Sequence, residues 1–188
     1  MAVASEATPL GSSLPDGSLV DADGTSHDLS DLVGEGPVLL AFLSNHCPYV
    51  RHIEEAFGRA TAELIARGIT VIGVSSNDAT SHPQDGPDGM AAQVERAGWT
   101  FPYLRDPDQT LARAAGAVCT PDLFLYDRDQ QLAYRGAFDG STPGNDVPLT
   151  GEHLRAAADA VLAGSPAPDE QRPAVGCGIK WSPGNEPA

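Results

Sequence analysis

Pro37 to Leu43 (PVLLAFL) is an unbroken apolar run, and Cys47-Pro48 follows it at the start of an amphipathic pattern. A strand with one wet face alternates apolar and polar residues. A run without alternation predicts a strand covered on both faces. From Pro48 to Arg67 the apolar positions Val50, Ile53, Phe57, Ala60, Leu64 and Ile65 recur every three or four residues. That spacing predicts a helix with Glu54, Glu55, Arg59 and Glu63 on its wet side and Gly68 at its C-cap. Ile69 to Val74 (ITVIGV) is a second buried strand. Two strands joined through a helix predict a parallel pair with a right-handed crossover.

The remaining punctuation completes the order β-α-β-α-α-β-β-α. Asp21 to Gly24 (DADG) signals a turn, with a small hairpin around it and a short helical turn at Ser30 to Leu32. Ser75 to Gly89 is a polar loop in which Asn77, Asp78, His82, Asp85 and Asp88 crowd together; it either borders the active site, as a loop at that sheet end can, or is a polar surface loop, the favoured reading. Met90 to Ala97 forms a helix ended by Gly98, and Tyr103-Leu104 is extended. Asp106-Pro107 is expected to cap the next helix, with Pro107 at its first position. Leu123 to Tyr126 and Gln131 to Phe138 form an antiparallel hairpin. Thr150 is expected to open the last helix, which Gly164 ends. The result is one α/β domain over residues 14–164, with a mixed four- or five-stranded sheet and helices on both faces. Residues 1–13 read as a loose arm. Residues 165–188 carry prolines at 166, 168, 173, 183 and 187 and read as a Pro-rich tail outside the packed body, with Ile179 and Trp181 as its apolar anchors.

Composition bounds the function. The chain has 188 residues, with 11 Lys plus Arg against 26 Asp plus Glu, a net charge of −15. Such a balance opposes nucleic-acid and anionic-membrane partners, because phosphate contacts need clustered basic residues. No apolar run approaches the ~18 residues of a membrane span. The N-terminus lacks the basic and apolar regions of a secretory signal, so a cytoplasmic location is expected. There, Cys47, Cys119 and Cys177 are reduced by default, and a disulfide among them is catalytic rather than structural.

Cys47 is the principal candidate. Unpaired N–H groups and the dipole at a helix start favour an anion, and the thiolate is the nucleophilic form of cysteine. Pro48 fits a first helical turn, where its missing N–H has no helical partner. His46 and Arg51 supply positive charge nearby. The bland alternative is an inert buried cysteine. His46, Cys47 and His52 match no common zinc spacing, and no phosphate-binding glycine loop or Ser-His-Asp order occurs, so neither metal nor organic cofactor is expected.

The segment PVLLAFLSNHCPYVR (37–51) resembles the strand, active-site turn and helix of the thioredoxin-fold superfamily, and Thr120-Pro121 in GAVCTPDLFLYD (116–127) is similar to its cis-proline loop. The stretch Leu14 to Leu32, with DADGTSHDLSDL, resembles the redoxin or AhpC/TSA (peroxiredoxin-like) branch. NHCPYV, AVCTPD, YRG and the terminal GCGIKW together look like a bacterial subgroup of that family. The resemblance covers about residues 14–165. It implies a thioredoxin-like fold and places Thr120-Pro121 beside Cys47, with the backbone of Thr120 open to a substrate strand. Ser44, His46, Pro48, Thr120 and Pro121 are then the substrate-binding candidates.

Three departures bear on the reaction. Val50 stands where the second cysteine of C-x-x-C would be. Ser44 and Leu40 replace the Thr and Pro that typical peroxiredoxins carry three and seven residues before their cysteine. The arginine expected after the cis-proline is absent, and Arg135 is the nearest one in sequence. The expectation is a thiol oxidoreductase with antioxidant, peroxiredoxin-like activity. In it Cys47 attacks a peroxide or a disulfide, and Cys119, Cys177 or an external thiol resolves the product. Its partners are then a peroxide or disulfide substrate and an external thiol reductant. The rival readings are a thioredoxin-type protein thiol–disulfide reductase or isomerase and a non-catalytic binding module of the same fold.

Overall fold

The computed structural model describes residues 2–5, 9–168 and 171–187. In chain order the strands are β1 (Ala2–Ala4), β2 (Ser18–Val20), β3 (Ser26–Asp28), β4 (Val38–Phe42), β5 (Thr70–Ser75), β6 (Tyr103–Arg105), β7 (Cys119–Thr120), β8 (Asp122–Tyr126), β9 (Leu132–Gly136) and β10 (Val175–Gly178). The helices are α1 (Leu29–Leu32), α2 (Pro48–Ala66), α3 (Pro87–Ala97), α4 (Thr110–Ala115) and α5 (Glu152–Leu162).

The central sheet is mixed, as expected, but larger than the expected four or five strands. Seven strands run in the order β3-β2-β6-β5-β4-β8-β9, and β1-β10-β7 form a second, three-stranded sheet. β4 pairs parallel with β5 and antiparallel with β8. The predicted two-faced burial of β4 is borne out. Leu39, Ala41 and Leu43 enter one core with α2, α3 and α5. Val38, Leu40 and Phe42 enter the other with Leu29 of α1 and Leu111, Ala112 and Ala115 of α4. Strand side chains alternate faces, so an all-apolar strand is stable only with helices on both sides. The first core is organised by Phe57 of α2, whose ring makes edge-on contacts with Trp99, Phe101 and Phe138 at 5.7–6.2 Å.

Several local expectations are corrected. Glu54 does not face water. It is buried, and its carboxylate takes a fork of two bonds from Arg96, from Nε at 2.7 Å and from Nη2 at 2.9 Å. Helix α4 starts at Thr110 rather than Pro107, because Gln109 adopts a left-handed conformation (φ 56°). Asp106 still serves that helix end from further back, accepting the Ala112 amide at 2.9 Å. α5 starts at Glu152 after Gly151, and the Thr150 and Gly151 amides both donate to Asp139 at 2.7 Å.

The largest correction concerns the two ends. The N-terminal segment read as a loose arm contributes β1, and the segment read as an unpacked tail contributes β10. Ala2, Val3 and Ala4 pair with Cys177, Gly176 and Val175, and Cys177 and Gly178 pair with Thr120 and Cys119. Ile179 is buried and Trp181 packs beside it in the second core. Lys180 is held by its backbone, donating to Asn77 Oδ1 and accepting from the Asp78 amide and Gln109 Nε2, each at 2.8 Å. Backbone pairing, not side-chain periodicity, holds this segment, so its many prolines and glycines did not prevent packing. No helix among the described residues is long and apolar enough to cross a membrane.

Candidate active site

β4 ends at Phe42, and the turn Ser44-Asn45-His46 carries the chain into α2. Cys47 is the N-cap of that helix and Pro48 is its first residue. Ser44 and Cys47 are fully buried, His46 and Tyr49 are half-buried, and Pro48 is exposed.

One carboxylate holds the turn. Asp85, buried at 1% exposure, accepts the Asn45 amide at 2.6 Å, the His46 amide at 3.3 Å and Ser44 Oγ at 3.1 Å. It also accepts His46 Nδ1 at 2.5 Å and Asn77 Nδ2 at 2.8 Å. A buried carboxylate persists where charge-assisted hydrogen bonds replace its water. Asn45 is fixed further by Arg51 Nε, which donates to its carbonyl at 2.7 Å, and by Arg96 Nη2, which donates to Oδ1 at 2.9 Å. The loop that carries Asn77 and Asp85 borders the site, the less favoured of the two sequence readings, and the sequence reading did not single out Asp85 as the residue that orders the turn. The signal available was chemical: a buried Ser-Asn-His turn presents several donors and no anion of its own.

The His46 ring stacks on His82 at 4.8 Å between centroids. Burial, and then the neighbouring His46 and Lys180, lower the pKa of His82 below the ordinary histidine value, against the opposing pull of Asp85 and Asp78.

The three cysteines are free thiols. Thr120-Pro121 is cis, and the Thr120 carbonyl accepts the Cys47 thiol at 3.1 Å. Thr120 is therefore beside Cys47, as the resemblance implied, although 120 − 47 = 73 residues separate them. Its strand edge is not open, however: β10 occupies it. Cys177 stands opposite Thr120 and packs against the core that holds Cys47. Burial first, and then the neighbouring Cys47, push the Cys177 thiol up to about 11. Gly176 makes the approach possible, since a Cβ there would lie 1.9 Å from the Thr120 carbonyl oxygen.

Cys119 is differently placed. It is buried, its thiol points to the Pro121 carbonyl at 3.9 Å, and burial followed by the Asp122 charge raises its pKa strongly. Arg135 is also committed elsewhere. Its Nη2 donates to Asp122 at 2.9 Å and to the Gly116 carbonyl at 2.7 Å, and its guanidinium lies over Phe124. His52, on the second turn of α2, pairs with Ser141 Oγ at 2.7 Å. Among the described residues no three His, Cys, Asp or Glu side chains are grouped to hold a metal ion.

The arrangement is a cysteine at a helix start, a second cysteine on the strand paired beside it, and a hydrogen-bonded His46–Asp85 pair alongside. Comparison with known proteins agrees with the fold. Residues 10–135 match the AhpC/TSA family. A hypothetical protein of Sinorhizobium meliloti is 42% identical with a TM-score of 0.92, the match covering 96% of this chain and 99% of that one. An uncharacterized conserved protein of Geobacillus kaustophilus is 41% identical with a TM-score of 0.93, covering 97% of each chain. A thiol:disulfide interchange protein of Chlorobium tepidum, at 17% identity and a TM-score of 0.60 over 83% of this chain and 99% of that one, shares the fold. No curated protein matches the sequence. The chain belongs to the AhpC/TSA family and has its α/β thioredoxin-like fold, a mixed sheet with helices on both faces.

Proposed function

We propose that this protein is a two-cysteine thiol peroxidase in which Cys47 reduces a hydroperoxide and Cys177 resolves the product. The observation that carries the reading is that Cys177 stands opposite Thr120 in the β7–β10 pairing while the Thr120 carbonyl receives the Cys47 thiol, so both cysteines flank one residue. In the first step the Cys47 thiolate attacks the hydroperoxide. An S–O bond forms, the O–O bond breaks, and the alkoxide or hydroxide takes a proton and leaves, so Cys47 becomes a sulfenic acid. In the second step the Cys177 sulfur attacks the sulfenic sulfur. The departing hydroxide takes the Cys177 proton and leaves as water, and a Cys47–Cys177 disulfide remains. An external thiol reductant returns both to thiols by two exchange steps. The chemistry calls for no metal or organic cofactor.

Ser44 and His46 act here through their hydrogen bonds to Asp85, which hold the turn that carries Cys47. Thr120 and Pro121 position Cys47, and Pro48 starts its helix. Cys119 has no part in the cycle. The fold's likeness to thiol:disulfide interchange proteins supports the rival reading, protein disulfide reduction. The occupied Thr120 edge favours the small oxidant, because a substrate strand would have to displace β10.

The test is mass spectrometry after stoichiometric hydrogen peroxide, on wild type and on Cys47→Ser, Cys119→Ser and Cys177→Ser. Expected products are a Cys47–Cys177 disulfide in wild type and in Cys119→Ser, and a trapped Cys47 sulfenic acid in Cys177→Ser. An unchanged oxidised species formed at an unchanged rate in Cys47→Ser would overturn the assignment. Fast reduction of a protein disulfide, with no response to peroxide, would favour the rival.

A further inference from the structure

A cavity of about 210 Å³ adjoins the site and has no role in the steps above. One wall is Tyr49 and Ile53, on the helix that begins at Cys47. A second is Pro121, directly after the residue that holds the Cys47 thiol, and Phe138 and Val175 lie opposite. The volume is below the ~300–1,000 Å³ usual for drug-sized ligands, so it suits a small molecule. Its polar lining is Ser141, Thr142, Asn145 and Arg172; Asn145 bonds the Gly140 carbonyl and the Thr142 amide, and Arg172 lies against Gly140.

Arg172 is exposed and has no carboxylate partner among the described residues, in a chain with far more acidic than basic residues. Its Nη1 lies over Gly140, 3.1 Å from where a Cβ would stand. Asp139, the one carboxylate of the lining, is turned inward. It accepts the amides of Ser141 at 2.8 Å and of Thr150 and Gly151 at 2.7 Å, which offset its charge. An anion beside Arg172 therefore meets a guanidinium with no carboxylate partner among the described residues, and the apolar remainder of the same molecule meets Tyr49, Ile53, Pro121 and Phe138.

We infer that this cavity seats the body of an organic hydroperoxide that carries a carboxylate, the carboxylate paired with Arg172 and the hydroperoxide end directed past Tyr49 and Pro121 to Cys47. The inference rests on the peroxidase reading and names its substrate class. Reaction with Cys47 forms the sulfenic acid and breaks the O–O bond, and the carboxylated alkoxide takes a proton from water and leaves as an alcohol. Guanidinium and carboxylate meet as a planar fork of two charge-assisted hydrogen bonds, which fixes the ligand's direction as well as its affinity.

Two measurements on the full-length protein test it. The first is the rate of Cys47 oxidation by cumene hydroperoxide and by its ring-carboxylated analogue. The carboxylated compound is expected to react about tenfold faster, a difference of ~1.4 kcal/mol. Arg172→Gln should bring the ratio close to one, and Arg172→Lys should retain part of it. Equal rates in wild type, or a ratio unchanged in Arg172→Gln, would overturn the inference. The second is calorimetric titration with the carboxylated alcohol, the unreactive product. Binding lost in Arg172→Gln supports the seat even if no hydroperoxide oxidises Cys47, an outcome that would sink the peroxidase reading alone. Binding that is absent in wild type, or equal in the variant, counts against the seat whatever the peroxide chemistry shows.

Discussion

Cys177 stands directly opposite Thr120 in the β7–β10 ladder, and Thr120 is the residue whose carbonyl receives the Cys47 thiol. A C-terminal strand thus takes the edge beside the reactive cysteine and brings a second thiol to it. The chain covers Cys47 with its own C-terminal strand, so access to Cys47 depends on β10.

Gly176→Ala tests that dependence. A methyl group 1.9 Å from the Thr120 oxygen cannot be accommodated without lifting β10. The expected cost is about 1–3 kcal/mol, the usual range for overpacking. Thermal unfolding should show it as a lower Tm. Alkylation of Cys47 by iodoacetamide should speed up, and the yield of the Cys47–Cys177 disulfide after peroxide should fall. An unchanged alkylation rate would mean that β10 does not limit access.

Cys177 carries a pH signature. Burial, and then the neighbouring Cys47, raise the thiol from 9.0 to about 11. Its alkylation rate should therefore keep rising through pH 9 and level off only near 11. In Cys47→Ala the neighbouring thiol is gone, and the curve should move to lower pH. Because the folded value is the raised one, the associated stabilisation is complete below the ordinary thiol value and disappears as pH climbs through about 11. Cys177→Ser should flatten that decline.

Asp85→Asn should uncouple the turn from its loop. The amide keeps one acceptor oxygen and turns the other into a donor, which then faces groups among Ser44, Asn45, His46 and Asn77 that are themselves donating to this position. Leaving buried donors without acceptors costs about 1–3 kcal/mol each, more for charged groups. A total loss of roughly 2–4 kcal/mol is expected by urea unfolding. Cys47 should be oxidised more slowly, because its turn is no longer held.

Arg135→Met should destabilise the fold by about 3–5 kcal/mol at pH 7.5, the usual result of stranding a buried charge. The penalty should be smaller at pH 5. Burial raises Asp122 to about 6 against the opposing pull of Arg135. A carboxyl raised in the folded state favours folding while protonated and loses that advantage as pH rises through its folded value. Asp122→Asn combined with Arg135→Met should recover much of the loss. Denaturation at the two pH values measures both effects.

What the sequence by itself determined was the local part of the protein. The unbroken apolar run of β4, the three-and-four spacing of α2 and the strand–helix–strand order are periodicities of short segments, and backbone geometry turns them directly into elements. The same is true of the place of Cys47, since a strand end and a helix start are neighbours in the chain. Tertiary structure alone decided what surrounds it. Asp85 reaches the turn from about 40 residues away, and Cys177 reaches Cys47 across 177 − 47 = 130 residues. No local pattern encodes such contacts. β10 shows the reason: VGCG has neither the alternation nor the bulk of a core strand, and its glycines read as freedom. It is a strand because β1 and β7 offer it paired backbone edges and because only glycine at 176 fits against the Thr120-Pro121 peptide.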